Sequence, residues 1–176
     1  MKLVAICGIK RSGSTAMYNI VRIALTHAGY DVLIRGHGFD VAELEHVEDN
    51  QVVLCKRHPF SEAIANKADH IFLTDRNDEE ILASLDRMWE SGDPERLEDM
   101  RKHLNKWKEY TDEYHTFPYY KINNNPLELI YRVFDIFDLY LKANEKDVLQ
   151  EFQTIEPPTD KQDPVTLLFP NHISNS

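Results

Sequence analysis

A chain of 176 residues with 42 % hydrophobic and 28 % charged residues can bury a core of its own and is ordinary for a globular protein. Its formal net charge of −10 argues against a nucleic-acid partner held by bulk charge, because such surfaces are basic. No apolar run approaches membrane-spanning length, and the run before the first loop is too short for a secretion signal, so the expectation is a cytoplasmic protein with no membrane partner.

The first strand is expected at residues 2–7, ending on a loop with glycines at Gly8 and Gly13. Ser14 and Thr15 open an amphipathic helix over 14–28, with Met17, Ile20, Val21, Ala24 and Leu25 on one face and Gly29 as its stop. A strand at 31–35 leads to the loop Gly36-His37-Gly38 and a short helix at 41–47. Residues 52–55 form a continuous apolar run, as in a buried parallel strand, followed by Lys56-Arg57-His58-Pro59. A short helix at 61–67, a strand at 71–74, the loop Asp75-Arg76-Asn77-Asp78 and a helix at 79–89 complete the first half.

The second half reads as more helical. Gly92-Asp93-Pro94 starts a long helix with Leu97, Met100, Leu104, Trp107 and Tyr114 on its apolar face. Phe117-Pro118 interrupts it, a fifth strand is expected at 119–122, and a helix follows the turn 123–126 and runs to about residue 142. The aromatic stripe Tyr131, Phe134, Phe137 and Tyr140 on that helix reads as core. The tail from residue 153 is Pro-rich and irregular. The two cysteines, Cys7 and Cys55, each end an apolar run; they read as buried thiols in a reducing compartment and lack metal-motif spacing.

Strands alternating with helices over short connections predict an α/β fold: three layers, α/β/α, around a central parallel sheet of four or five strands. One domain, 1–176, is expected, divided into a core (1–92), a helical half (93–152) and the tail (153–176). Ligands in such sheets sit beyond the carboxyl ends of the strands, and three strand ends meet there: 8–15, 56–58 and 75–77.

The first of these fits Gly-x-x-x-x-Gly, a phosphate-binding loop, with Ser14 where that motif has Lys and the cations earlier, at Lys10 and Arg11. It reads as an anion cradle made of loop N–H groups and a helix N-terminus; the competing reading is a plain strand-to-helix turn capped by Ser12 or Ser14. His58 past a strand end suits a general base, since an imidazole titrates near neutrality; a capping residue before a proline turn is the alternative. Lys56 suits charge stabilisation on a bridging oxygen. Arg76 and Ser84, eight apart, reach one anion if the helix starts near Asp78; otherwise they are an exposed Arg and a Ser bonded to its own helix.

Taken together the three sites resemble the sulfotransferases that use 3′-phosphoadenosine-5′-phosphosulfate (PAPS). Residues 9–15, Ile-Lys-Arg-Ser-Gly-Ser-Thr, are similar to that family's 5′-phosphosulfate loop, P-[KR]-[ST]-G-[ST]-T. Lys56-Arg57-His58 resembles its K-T-H, and Arg76 to Ser84 resembles R-[ND]-P-x-D-x-x-x-S. Residues 120–139 are more weakly similar to its later region. The leading Pro of the loop, the aromatic after its hydroxyls (Ala16 here), the Pro of the third motif (Asp78 here) and the late R-K-G motif are absent.

The resemblance implies a P-loop nucleotide-binding type of fold and in-line sulfuryl transfer from PAPS, leaving adenosine 3′,5′-bisphosphate (PAP), to a hydroxyl or amine on a small-molecule or carbohydrate acceptor. It makes His58 the base and Lys56 its catalytic partner, assigns Lys10, Arg11, Ser12, Gly13, Ser14 and Thr15 to the 5′-phosphosulfate and Arg76 and Ser84 to the 3′-phosphate, and implies no metal. The acceptor would sit against the 36–40 loop and the 92–114 segment, where Trp89, Trp107, Tyr110 and Tyr114 offer stacking surfaces or, on the competing reading, pack in the core; His172 in the tail is a further site candidate or a solvated tail residue. Two alternatives are a P-loop kinase or NTPase, with Asp75 positioning Mg²⁺ after the strand Phe72-Leu73-Thr74, and a non-catalytic nucleotide-binding module of the same fold.

Overall fold

In a computed structural model the described residues are 1–36, 39–89, 93–111 and 114–170, with only the backbone described at Met88, Trp89 and Asn123. The expected loop at His37-Gly38, the Gly92 turn, the side chain of Trp89 and His172 lie outside the described residues.

Five strands form one sheet: β1 (Leu3–Gly8), β2 (Asp31–Arg35), β3 (Gln51–Arg57), β4 (His70–Asp75) and β5 (His115–Pro118). Their spatial order is β2-β3-β1-β4-β5, and every neighbouring pair is parallel. Each step between strands therefore needs a crossover, and helices cover both faces. On one face lie α1 (Ser14–His27), α6 (Pro126–Phe137) and α7 (Glu145–Gln153), packed on Val4, Ile6, Leu54, Phe72 and Phe117. On the other lie α2 (Glu62–Ala65), α3 (Asp78–Trp89) and α4 (Pro94–Tyr110), packed on Leu3, Ala5, Cys7, Val53 and Leu73. The fold is a three-layer α/β/α sandwich. Alternate residues of β1 serve opposite faces, and all six are buried, which is why this strand reads as an unbroken apolar run. Cys7 and Cys55 are both buried on the α2–α4 face, and burial raises both thiols, Cys55 to about 12.

Four local expectations are corrected. The fifth strand is His115–Pro118, not 119–122; residues Tyr119–Asn124 form a short helix, α5, because the ladder with β4 runs from Phe72↔His115 to Asp75↔Pro118 and ends there. The last helix stops at Phe137, where Asp138 adopts φ 52, and Asn144 caps a separate α7 by accepting from Lys146 N–H. The buried stripe of α6 is Leu129, Ile130, Val133 and Phe134; Tyr131 and Tyr140 lie off it, 38 % and 46 % exposed. Tyr114 packs on the core from beyond the end of α4 rather than from its face. No helix among the described residues is long and apolar enough to cross a membrane.

Candidate functional site at the carboxyl edge of the sheet

The order β3-β1-β4 places the ends of the three expected strands side by side. The chain leaves β1 for α1 on one face, and leaves β3 and β4 for helices on the other, so a crevice opens at the carboxyl end of β1.

The loop after β1 has a fixed shape. Gly8 stands at φ 146, and a Cβ there would lie 2.4 Å from Thr74 Oγ1 and 2.5 Å from the Thr74 carbonyl oxygen. No other residue fits against β4. Arg11 takes φ 71 and Gly13 φ 87. Ser12 is buried: its hydroxyl donates to the Ile9 carbonyl at 2.6 Å and pairs with Thr74 Oγ1 at 2.7 Å. Ser12 therefore ties the loop to β4 and does not cap the helix. Gly13 occupies the cap position of α1, which has no side-chain cap bond. The N–H groups of a helix's first turn point out of its N-terminus, so this end offers them uncapped beside the loop.

Five cations and two hydroxyls gather there. Lys56, the sixth residue of β3 rather than a residue beyond it, donates to Thr15 Oγ1 at 2.5 Å. Burial lowers its ammonium to about 8, and the charges of Arg11 and Lys10 add to that shift. The Arg11 side chain turns the other way and donates from Nε to Ser84 Oγ at 2.9 Å. Burial and the guanidinium of Arg87 bring Arg11 below its ordinary value. Arg76 donates to the Arg11 carbonyl at 3.3 Å, pairs with Glu80 at 2.9 Å and lies 3.8 Å from the centroid of the Tyr119 ring. The two residues predicted to share one anion, Arg76 and Ser84, are thus linked through Arg11. Ser84 is buried in α3, and Arg87 reaches its Oγ at 3.4 Å. In a chain of net charge −10 this group of guanidinium and ammonium ions is a local concentration of positive charge.

His58 lies just past β3, with Nδ1 2.7 Å from the Gly8 carbonyl oxygen. A carbonyl only accepts, so Nδ1 carries the proton, and Nε2 is the basic nitrogen of the neutral ring.

Two cavities flank the loop. The first, of about 230 Å³, is lined by Gly8, Lys10 and His58 and by Arg96, Met100 and His103 of α4. The second, of about 500 Å³, is lined by Arg76, Asn77, Pro118, Tyr119 and Tyr120, beyond the ends of β4 and β5. Lys10 faces the first, while the carbonyl of its neighbour Arg11 holds Arg76, which faces the second.

The local sequence carried no signal for four contributors. Arg101 of α4 grips the loop after β4: its guanidinium bonds both Asp75 and Asp78, and donates to the Arg76 carbonyl at 2.6 Å. Lys108 adds a contact to Asp75 at 3.4 Å. Thr74 anchors Ser12, and Tyr119 packs on Arg76 and against Gly13. Among the described residues no three His, Cys, Asp or Glu side chains gather as a metal-ligand group. No known protein-family model matches the chain, and no curated protein matches it.

Proposed function

We propose that the protein is a sulfotransferase that moves a sulfuryl group from PAPS to a hydroxyl or amine of a small acceptor. The observation that carries this reading is the partition of the site. One loop, 8–13, separates a cavity holding a base (His58) from a cavity holding an anion-binding pair (Arg76, with Ser84 through Arg11), and Lys56 lies behind the loop at Thr15. A group transfer from a doubly phosphorylated donor needs those three parts in that order.

The residues fit the donor. The uncapped N-terminus of α1, the loop amides, Thr15, Lys10 and Lys56 suit its 5′-phosphosulfate. Arg11, Arg76 and Ser84 suit its 3′-phosphate, and the Tyr119 ring, already under a guanidinium, offers a face for a base beside the Arg76 cavity. The donor supplies the sulfuryl group and leaves as PAP. The acceptor oxygen forms the new S–O bond as the bond from sulfur to the phosphate oxygen breaks; its electron pair leaves with the phosphate. His58 Nε2 takes the acceptor's proton, and the Gly8 carbonyl, holding Nδ1–H, stabilises the imidazolium that forms. Lys56 and the loop amides stabilise charge on the leaving oxygen.

A specific contact weighs against the kinase reading. The Asp75 carboxylate, which would position Mg²⁺, is already held by Arg101, Lys108 and the Arg76 N–H. The test is calorimetric titration with PAP, with and without Mg²⁺, and with ATP beside it, followed by transfer of label from PAPS to an acceptor panel. Metal-independent PAP binding and labelled acceptor are expected. ATP binding only with Mg²⁺ refutes the reading in favour of a kinase; PAP binding with no transfer to any acceptor refutes it in favour of a non-catalytic module.

A further inference from the structure

The two edges of the sheet are finished differently. At one edge β5 ends on Pro118, and its Thr116 carbonyl accepts from the Arg132 guanidinium at 2.9 Å. A proline and a covering charge are devices that keep an edge strand from pairing. At the other edge stands β2, Asp31-Val32-Leu33-Ile34-Arg35, with neither proline nor glycine. Val32, Leu33 and Ile34 are only partly buried, and among the described residues no strand lies beyond them.

Pairing with β3 fixes which backbone groups of β2 face outward. The Asp31 N–H donates to the Asn50 carbonyl at 3.0 Å, and in a parallel ladder alternate residues bond the same neighbour. Asp31, Leu33 and Arg35 therefore bond β3, while Val32 and Ile34 turn their N–H and C=O groups outward. Accordingly, the Ile34 carbonyl accepts from Arg35 Nη1 at 3.0 Å. Side chains alternate as well. Val32 and Ile34 pack on the α1 face, and Leu33 packs on the opposite face, which Asp31 and Arg35 share.

We propose that β2 is an interface for a second copy of this chain, paired antiparallel about a two-fold axis at Leu33. With the axis there, Val32 meets the partner's Ile34 and Ile34 meets the partner's Val32. These are the residues with outward groups, so each pairing exchanges two N–H···O bonds. Leu33 meets the partner's Leu33 at a non-hydrogen-bonded position, where side chains come closest. The same axis sets Asp31 against the partner's Arg35, and symmetry repeats that opposite-charge pair. Moving the axis to Val32 or Ile34 keeps outward groups opposed but sets a charge against Leu33. Both charged side chains have capacity left. Asp31 Oδ2 accepts from Gln51 at 2.9 Å, and a carboxylate has a second oxygen; Arg35 Nε bonds Glu43 at 3.0 Å, and a guanidinium has further N–H groups. The two sheets join into one, with their carboxyl rims facing opposite ways, so each crevice is complete within its own chain. The pairing does not depend on sulfuryl transfer.

The experiment is sedimentation velocity of the whole protein between about 1 and about 200 µM, where a dimer with a micromolar midpoint is expected for an interface of this small size. Asp31→Arg alone and Arg35→Asp alone set like charges opposite each other, and each is expected to weaken pairing about tenfold or more. Mixed in equal amounts, the two variants are expected to pair as the parent does, because each substituted position then faces its complement in the other chain. In the parent, exchange of the Val32 and Ile34 amide hydrogens is expected to slow as concentration rises through the midpoint. A parent that stays monomeric, or one whose Val32 and Ile34 amides exchange equally fast as monomer and dimer, overturns the proposal. Single variants that dimerise like the parent overturn it as well, as do variants folded by circular dichroism that fail to pair when mixed.

Discussion

His58 and Gly8, fifty positions apart, meet at 2.7 Å, imidazole Nδ1 to carbonyl oxygen. The bond fixes the tautomer and the ring plane of the proposed base from the loop proposed to cradle the anion. It also separates two roles of the residue. His58→Asn keeps a donor for the Gly8 carbonyl and removes the basic nitrogen, whereas His58→Ala removes both. Both variants are expected to lose about 10²- to 10⁴-fold in transfer rate. PAP should remain bound in both variants. Transfer at the normal rate in either variant removes His58 as the base.

Arg101 lines the second cavity beside Arg76, and its guanidinium holds Asp75, Asp78 and the Arg76 carbonyl. It shares the hold on that loop with Lys108, which contacts Asp75, and with Glu80 and the Arg11 carbonyl, which bond Arg76. Arg76→Ala should weaken PAP binding by about 1.5–3 kcal/mol, through loss of a charge-assisted contact. Arg101→Ala should weaken it as well, by about 1 kcal/mol, and the double variant should lose less than the sum, because the second change acts through the first residue. Strict additivity in calorimetric titration contradicts the positioning role.

Lys56 gives the site a pH dependence. Its ammonium titrates near 8 in the fold, below its ordinary 10.5. Between those values the unfolded chain binds more protons than the folded one, so this residue's contribution to stability rises with pH across that window. A bound anion favours the charged form. PAP affinity is therefore expected to be full below about pH 8 and to fall as pH rises through it. Lys56→Met should abolish that fall, weaken PAP binding at pH 7, and raise the stability of the ligand-free protein by on the order of 2 kcal/mol, because a buried ammonium is replaced by an apolar chain. A flat PAP profile between about pH 7 and about pH 9.5 in the parent protein contradicts the assignment.

At the opposite edge of the sheet His70 and His115 stack with ring centroids 5.8 Å apart. Both are lowered from their ordinary value, first by burial; His115 is lowered further by His70 and Arg132, and Asp69 partly offsets the effect at His70. Their folded values lie below the unfolded ones, so the stability they contribute is complete above the ordinary histidine range and declines as pH falls through it. The urea midpoint is expected to be lower at about pH 5.5 than at about pH 7.5. His115→Phe should reduce that difference. An unchanged difference assigns the acid sensitivity elsewhere.

The alternation of elements along the chain was set locally. Unbroken apolar runs marked β1, β3 and β4, and the helical spacing of Met17, Ile20, Val21, Ala24 and Leu25 marked α1, because each pattern depends on neighbours within a few residues. From the topological rule that ligands sit beyond strand ends, the same patterns located the rim that carries Lys56, His58 and Arg76. Tertiary structure decided what those residues touch. The placement of β5 depended on pairing with β4, more than forty positions away, and that pairing outweighed the strand-like look of 119–122. Ser12 looks like a phosphate hydroxyl in sequence, but the closeness of β4 turned it into a brace for Gly8 and Thr74. Arg101 and Lys108 carry no local signal in the sequence, and only the packing of α4 across the rim brought them onto Asp75. Contacts of that kind join residues tens of positions apart, and no local periodicity encodes them.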